Sequence, residues 1–307
     1  MKIVFAGSPE YAVPSLAALL DAGKDVVAVI TQPDKPVGRK HVLTPTPVKS
    51  YALSRSLDVY DFDKIKNHTE EVRRLGADIM ITCAYGQILS KEILASFPQG
   101  VWNLHASLLP KFRGASPIQS AILAGETRTG VTVMRTEEQL DTGDMLLVKS
   151  CEIGENTYGE LSEILSRLSA EAAVQAVGLL ENGESQLLIQ DEVQATYCKK
   201  IQKSDAKIDF SLTADKVKNL INAMSPSPLA FCTLRGEQVN IFKAQIAQCD
   251  CEGRVGEVIT ADRKNGIIVG CGVGAVKLLS MQFAGGKALS ANDVLNGRKI
   301  KAGDILD

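Results

Sequence analysis

The sequence predicts an α/β domain, built on a mostly parallel sheet with helices on both faces, joined to a small antiparallel β-barrel. Three observations carry this. The first 190 residues alternate short apolar runs with stretches of helical period, as strands buried on both faces and joined by crossover helices do. From about residue 210 the pattern changes to short strands separated by glycine turns, as in small barrels. A length of 307 residues amounts to two domains at roughly 100–200 residues each.

Lys2–Ala6 is apolar after its first residue and reads as a buried strand. A helix is expected from about Glu10 to Ala22 and a second buried strand at Asp25–Thr31. Strand-like runs follow at Asp78–Cys83, Val101–His105, Gly130–Arg135 and Met145–Val148, with helical stretches such as Pro47–Ser56 and Pro117–Ala124 between them. The clearest helix is Thr157–Leu180, where Leu161, Ile164, Leu165, Leu168, Ala172, Ala176 and Leu179 form one stripe. Thr157 with Glu160 makes a capping box, and Asn182-Gly183 ends it. Residues 191–209 are polar and aperiodic and read as a linker. A short helix with Val217, Leu220, Ile221 and Met224 on one face precedes five strands: Ala230–Leu234, Gln238–Ala244, Val255–Thr260, Ile267–Cys271 and Val276–Met281. Arg235-Gly236, Asn265-Gly266 and Gly272-Val-Gly274 supply the turns. The expected organisation is therefore a Rossmann-like domain over 1–190, a linker over 191–209 and an antiparallel barrel over 210–307.

Composition narrows the function. With 45% hydrophobic and 23% charged residues, disorder and a fibre are excluded. Aromatics make up 5%, with a single Trp, too few for a protein that grips single-stranded nucleic acid by stacking. Net charge is −2 overall, divided as +3 from Ile201 onward and −5 before it; a mildly basic tail points only weakly to a polyanionic partner, and ordinary scatter is the favoured reading of this number. The seven cysteines include only a lone C-x-C, Cys249-Asp-Cys251, and the three histidines are His41, His68 and His105, so no metal site is expected. Reduced thiols fit a cytoplasmic location. The start, Met1-Lys-Ile-Val-Phe-Ala-Gly7, is too short for a signal-peptide core, and no apolar run approaches the ~18 residues of a membrane span.

In an open α/β sheet, ligands bind beyond the C-terminal ends of the strands. The segment Val101–Gly114 fits that place best. Asn103 and His105 are two apart on a strand, so their side chains share a face, and an amide beside an imidazole suits an oxyanion at a carbonyl under attack. The alternative is that His105 only caps the strand. Asp141, in Leu140-Asp-Thr-Gly-Asp-Met145, can orient His105, favour its charged form or accept a proton; Asp-Thr-Gly also makes an ordinary turn. The first βα turn, Gly7-Ser-Pro-Glu-Tyr-Ala12, is not G-x-G-x-x-G, and Pro9 lacks the N–H a diphosphate would use, which argues against an NAD dehydrogenase. The stretch Gln32–Pro47 holds four prolines with Lys35, Arg39 and Lys40. It reads as an exposed, projecting loop, either meeting a phosphate backbone or merely solvated.

Asn103-Leu-His-Ala-Ser-Leu-Leu-Pro110, Arg113-Gly-Ala-Ser-Pro117, Thr129-Gly-Val-Thr132 and Leu140-Asp-Thr-Gly-Asp-Met145 together resemble the 10-formyltetrahydrofolate-dependent formyltransferases. The resemblance covers nearly the whole chain. It implies that Asn103, His105 and Asp141 are the catalytic trio. It implies a folate site lined by Ser107, Leu108, Leu109 and Pro110 together with Tyr85, Gly86, Gln87, Ile88 and Leu89. The loop Gln32-Pro-Asp-Lys-Pro-Val-Gly-Arg39 points to the branch whose acceptor is initiator methionyl-tRNA, with Arg39, Lys35 and Lys40 approaching the tRNA. The barrel, similar to OB-folds, adds a further basic surface. The resemblance implies 10-formyltetrahydrofolate as co-substrate and no metal, and a monomer is expected. A sugar-nucleotide N-formyltransferase, with the same donor and trio, is the alternative.

Overall fold

The computed structural model describes residues 1–38, 41–248 and 254–307. Arg39, Lys40, Cys249 and Cys251, all singled out in the sequence, lie outside the described residues. The chain divides into two compact units, each discontinuous in sequence. One comprises Met1–Gly114, Thr129–Cys151 and Ser162–Cys198; the other comprises Ala115–Arg128, Glu152–Leu161 and Lys199–Asp307.

The strands of the first unit are, in chain order, β1 (Lys2–Gly7), β2 (Asp25–Thr31), β3 (Lys35–Val37), β4 (Val42–Thr44), β5 (Val59–Asp61), β6 (Ile79–Cys83), β7 (Val101–His105), β8 (Arg113–Gly114), β9 (Arg128–Arg135), β10 (Met145–Glu152) and β11 (Tyr197–Cys198). Seven of them form one sheet in the order β10-β9-β7-β6-β1-β2-β5. The five from β7 to β5 run parallel, and β9 is antiparallel to β7. The mostly parallel sheet is thus as predicted. Its side chains alternate between two faces, and both are buried. Val4, Ala6, Ala28, Ile30 and Met80 share one core cluster with Phe62, Ile65, Val72 and Ile93. Ile3, Phe5, Val29, Ile79 and Ile81 point to the opposite face and are as fully buried.

The helices of this unit are α1 (Val13–Asp21), α2 (Pro47–Ser54), α3 (Thr69–Arg74) and α4 (Lys91–Leu94). The helix expected from Glu10 opens as a 3-10 turn over Glu10–Ala12, and α1 begins after it with Pro14 in its first turn. α5 (Pro117–Leu123) belongs to the second unit. α6 (Tyr158–Asn182) gives the first unit its residues from Ser162. Its Leu165, Ala172, Ala173 and Ala176 are wholly buried. There Ser166 Oγ donates to the carbonyl of Tyr11 at 2.6 Å, and the Ser169 and Tyr11 hydroxyls pair at 2.8 Å.

Two stretches differ from their expected form. The projecting loop carries a small antiparallel ribbon, β3 on β4, with Lys35 opposite Thr44. All six of its residues are exposed, so no buried face existed to mark the strands in the sequence. The linker is partly docked: β11 pairs in parallel with β8, Tyr197 opposite Arg113 and Cys198 opposite Gly114.

The second unit contains α7 (Ala214–Ala223), β12 (Ala230–Leu234), β13 (Glu237–Ala247), β14 (Val258–Asp262), β15 (Gly266–Gly270), β16 (Ala275–Phe283), β17 (Leu289–Ser290) and α8 (Ala291–Asn296). The strands form an antiparallel sheet, β12-β13-β16-β15-β14, with β17 on β16. Val239, Ile241, Val269, Val276, Leu278 and Met281 make one core with Val217, Ile221 and Met224 of the α7 segment and Val294 of α8. Arg235 and Gly236 both have positive φ (52° and 83°), the conformation of a two-residue hairpin turn. The C-terminal residues bridge the two edges of the sheet, Leu306 against Leu234 of β12 and Ile305 against Glu257 beside β14. Gly256 lets the tail pass, because a Cβ there would strike the carbonyl of Leu306. Among the described residues, no helix is long and apolar enough to cross a membrane.

Candidate functional site

The sheet order reverses between β1 and β6: the chain builds outward through β2 on one side, then through β6 and β7 on the other. Beyond the C-terminal ends of such a pair the following loops diverge and leave a crevice. Here those loops are tied by polar side chains. Gln32 donates its Nε2–H to the carbonyl of Tyr85 at 3.1 Å and its backbone N–H to Ser8 Oγ at 3.1 Å.

Asn103 and His105 stand on β7 and share a face of the strand. Asn103 is half-buried. Its Oδ1 accepts from Thr82 Oγ1 at 3.0 Å, which fixes the amide and leaves Nδ2 as its donor end, without a partner among the described residues. His105 is 5% exposed. Its Nε2 lies 3.0 Å from the carbonyl oxygen of Phe112, which can only accept, so Nε2 carries a proton. Its Nδ1 faces Asp141 Oδ2 at 3.6 Å. The same Asp141 oxygen accepts from the backbone N–H of Gly114 at 2.8 Å. Asp141 sits at φ 54°, a left-handed conformation uncommon outside glycine. The turn around it is close-packed: a Cβ on Gly143 would overlap the carbonyl of Arg135.

The loop after β7 is rigid for stated reasons. Thr132 Oγ1 donates to the carbonyl of Ser107 at 2.7 Å and accepts from Leu109 N–H at 3.1 Å. Ser107 Oγ donates to the carbonyl of Lys111 at 2.6 Å. At its end Arg113, wholly buried, donates to Gln190 Oε1 from Nε (3.0 Å) and Nη2 (2.8 Å). It also grips Glu192 with both terminal nitrogens, at 2.9 and 2.7 Å. The hydrogen bonds that Arg113 donates to Glu192 hold the guanidinium above its ordinary value against the opposing effect of burial, and they hold the Glu192 carboxyl below the usual carboxylate range.

The remaining sequence-chosen residues divide by what their side chains already do. Ser107 is spent on its own loop, Leu109 is buried, and Leu108 and Pro110 are half-buried. Tyr85 is buried, and burial pushes its phenol up; its hydroxyl has no hydrogen-bond partner among the described residues. Gly86 has φ 82°. The Gln87 side chain is spent on the 62–65 segment, accepting from Ile65 N–H and donating to the Phe62 carbonyl, both at 2.8 Å. Leu89 is buried, whereas Ile88 is 88% exposed. Lys35 is exposed at the start of β3. The structure thus brings His105 and Asp141 together and leaves Asn103 with a fixed, free donor. Sequence reasoning missed Thr82, the Phe112 carbonyl, the Gly114 amide and Gln190. Thr82 left a signal: it is a lone hydroxyl in the apolar run Ile79–Cys83. Among the described residues no cluster of three or more His, Cys, Asp or Glu could hold a metal ion.

The family model described as formyl transferase matches residues 1–177, and that for the formyl transferase C-terminal domain matches residues 200–299. The chain is 42% identical over 308 residues to the methionyl-tRNA formyltransferase of Sulfurihydrogenibium sp. (strain YO3AOP1), covering 99% of each chain. It is 43% identical over 304 residues to that of Pseudomonas entomophila (strain L48), covering 98% of this chain and 97% of the relative. In fold it is similar to WlaRD, a sugar 3N-formyl transferase solved in the presence of dTDP and 5-N-formyl-THF. The TM-score is 0.67 at 20% identity, over 94% of this chain and 99% of that one. It is also similar to a methionyl-tRNA formyltransferase from Clostridium thermocellum, with a TM-score of 0.57 at 16% identity, over 80% and 94%.

Proposed function

The chain belongs to the formyl transferase family, and on that premise we propose that it transfers the formyl group of 10-formyltetrahydrofolate to the α-amino group of methionine on initiator methionyl-tRNA. The observation that carries this is 42% identity across 99% of both chains to a relative of that name. The length matches that relative, and the loop Gln32–Arg39 resembles the tRNA-directed branch in sequence. The reading includes a protein that acts as a cytoplasmic monomer.

The nucleophile is the methionyl amine. An α-amino group has a pKa near ~7.7–8.0, and the adjacent ester lowers it by electron withdrawal, so a useful neutral fraction exists near pH 7. The amine attacks the formyl carbon, and charge collects on the formyl oxygen. Asn103 Nδ2, held outward by Thr82, donates to that oxygen. The His105 Nε2–H is spent on Phe112 in the unliganded protein; in the reaction the formyl oxygen replaces that carbonyl as its acceptor. Asp141 orients the ring across the 3.6 Å gap and takes the proton shed by the amine, directly or through water. N10 leaves with a proton as tetrahydrofolate, which balances the one lost by the amine. Ser107–Pro110 and Tyr85–Leu89 line the folate site, largely through backbone and apolar surface, because the Ser107 and Gln87 side chains are committed within the protein. Lys35, Arg39 and Lys40 meet the tRNA backbone.

The test is a competition of acceptors. Labelled 10-formyltetrahydrofolate is supplied with charged initiator tRNA or with an amino-sugar nucleotide. Label is expected on the tRNA alone. Label on the sugar nucleotide, with none on the tRNA, would replace this reading with the sugar-nucleotide one.

A further inference from the structure

We propose that Gln190 is a positioning residue for the reaction, holding the Asp141 carboxylate in place from the docked segment that follows α6. The inference rests on the reading of Asp141 above and adds a residue outside the trio and its loops. Gln190 is 5% exposed, and its side chain spans the site from one side to the other. Its Nε2 donates to two backbone carbonyls of the Asp141 turn, those of Asp141 at 2.9 Å and of Gly143 at 2.7 Å. Its Oε1 accepts two hydrogen bonds from the buried Arg113 guanidinium, at 3.0 and 2.8 Å. Carbonyls only accept and a guanidinium only donates, so the amide has one possible orientation and no unused capacity.

Such a clamp matters because of the conformation it restrains. Asp141 is a non-glycine residue at φ 54°, and residues held there persist where their surroundings over-determine them. The Gln190 donors act on the main chain at and just after that residue. The same docked segment also fixes the other acceptor of His105. Thr196 Oγ1 accepts from Phe112 N–H at 2.8 Å, and the Thr196 carbonyl accepts from Arg113 N–H at 2.8 Å. Both groups that face the imidazole therefore trace back to residues 190–196. A displacement of the order of 1 Å at a reacting constellation costs about 100-fold, so a clamp on one carboxylate is worth having.

Two variants separate positioning from general support. Gln190→Met keeps the volume and removes all four hydrogen bonds. Gln190→Glu keeps an acceptor for Arg113 and turns an acceptor toward the two carbonyls. Each is expected to lower kcat by about 10- to 100-fold while KM for the formyl donor and for the tRNA stays within about twofold. In an Asp141→Asn background, Gln190→Met is expected to cost less than about twofold more, because it acts through that carboxylate. A readout free of catalysis is the backbone N–H of Gly114, which is bonded to Asp141 Oδ2. Its hydrogen exchange should accelerate about tenfold or more in both variants, with the Leu109 amide, bonded to Thr132 Oγ1, unchanged as the control for general loosening. Fully multiplicative losses with Asp141→Asn, or unchanged Gly114 protection in both variants, would overturn the proposal. Should Asp141→Asn alone be fully active, the assignment of Asp141 falls, and Gly114 exchange still decides whether Gln190 holds it.

Discussion

The two units bury polar groups in different ways. In the second, buried polar side chains such as Asn222 and Asp304 staple one element to another and are then finished. Asn222 of α7 donates to the carbonyl of Ala244 at 3.2 Å and accepts from its N–H at 3.1 Å, standing in for a strand partner where the β13 register shifts. Asp304 accepts from Arg235 and from Lys301 N–H and so fastens the tail that bridges the sheet edges. In the first unit polar groups form a chain that runs inward from the exposed Glu192 and converges: Glu192 to buried Arg113, Arg113 to Gln190, Gln190 to the Asp141 turn, and Asp141 facing His105. Nearby, Thr82 orients the Asn103 amide and leaves a donor over. Satisfied pairs serve architecture. A converging network that ends in one free donor and a paired imidazole serves chemistry.

The comparison can be broken from either side. The largest effect is expected at His105: His105→Ala should lower kcat by about 10²–10³-fold, the range for losing a donor to a developing oxyanion, with an unchanged circular dichroism spectrum. Steady-state formylation kinetics measure it, and a loss below about tenfold would remove His105 from the chemistry. Next, Thr82→Val keeps the shape but frees the Asn103 amide, and kcat should fall by roughly tenfold as the free donor loses its orientation; unchanged kcat would show that the amide needs no orienting partner. In the second unit Asn222→Ala should cost about 1–3 kcal/mol of stability, read from urea unfolding, with the rate per folded molecule unchanged. The smallest effect is at Asp304. Burial raises its pKa, but the hydrogen bonds of Arg235 and Lys301 outweigh it and hold the carboxyl below the ordinary aspartate value of 3.8. A depressed folded value means that its contribution is present above 3.8 and is lost as pH falls through the lower folded value. Asp304→Asn should therefore melt below the parent at pH 7, and the difference should shrink as pH falls below 3.8; a constant difference would contradict the sign.

What could be read from the sequence followed periodicity and spacing. The apolar runs at Ile3–Ala6, Val26–Thr31 and Ile79–Cys83 became central strands because burial on both faces demands continuous hydrophobicity. The two-residue spacing of Asn103 and His105 placed them on one face. The exposed ribbon of β3 and β4 carried no such pattern. The helix Pro117–Leu123 showed its period but not its unit, since partners such as α7 lie far along the chain. Gln190 was invisible for a related reason: its partners are two backbone carbonyls 47 and 49 residues away and one guanidinium 77 residues away. Side chains that bind main chain leave no sequence signature on the partner.

The account turns on the donor that Thr82 leaves free. The direct measurement is the single-turnover rate of formyl transfer to charged initiator tRNA by Asn103→Ala, with 10-formyltetrahydrofolate binding measured in parallel. A fall of about 10²–10³-fold with donor affinity retained is expected. A rate within about twofold of the parent would contradict the claim that this amide meets the formyl oxygen.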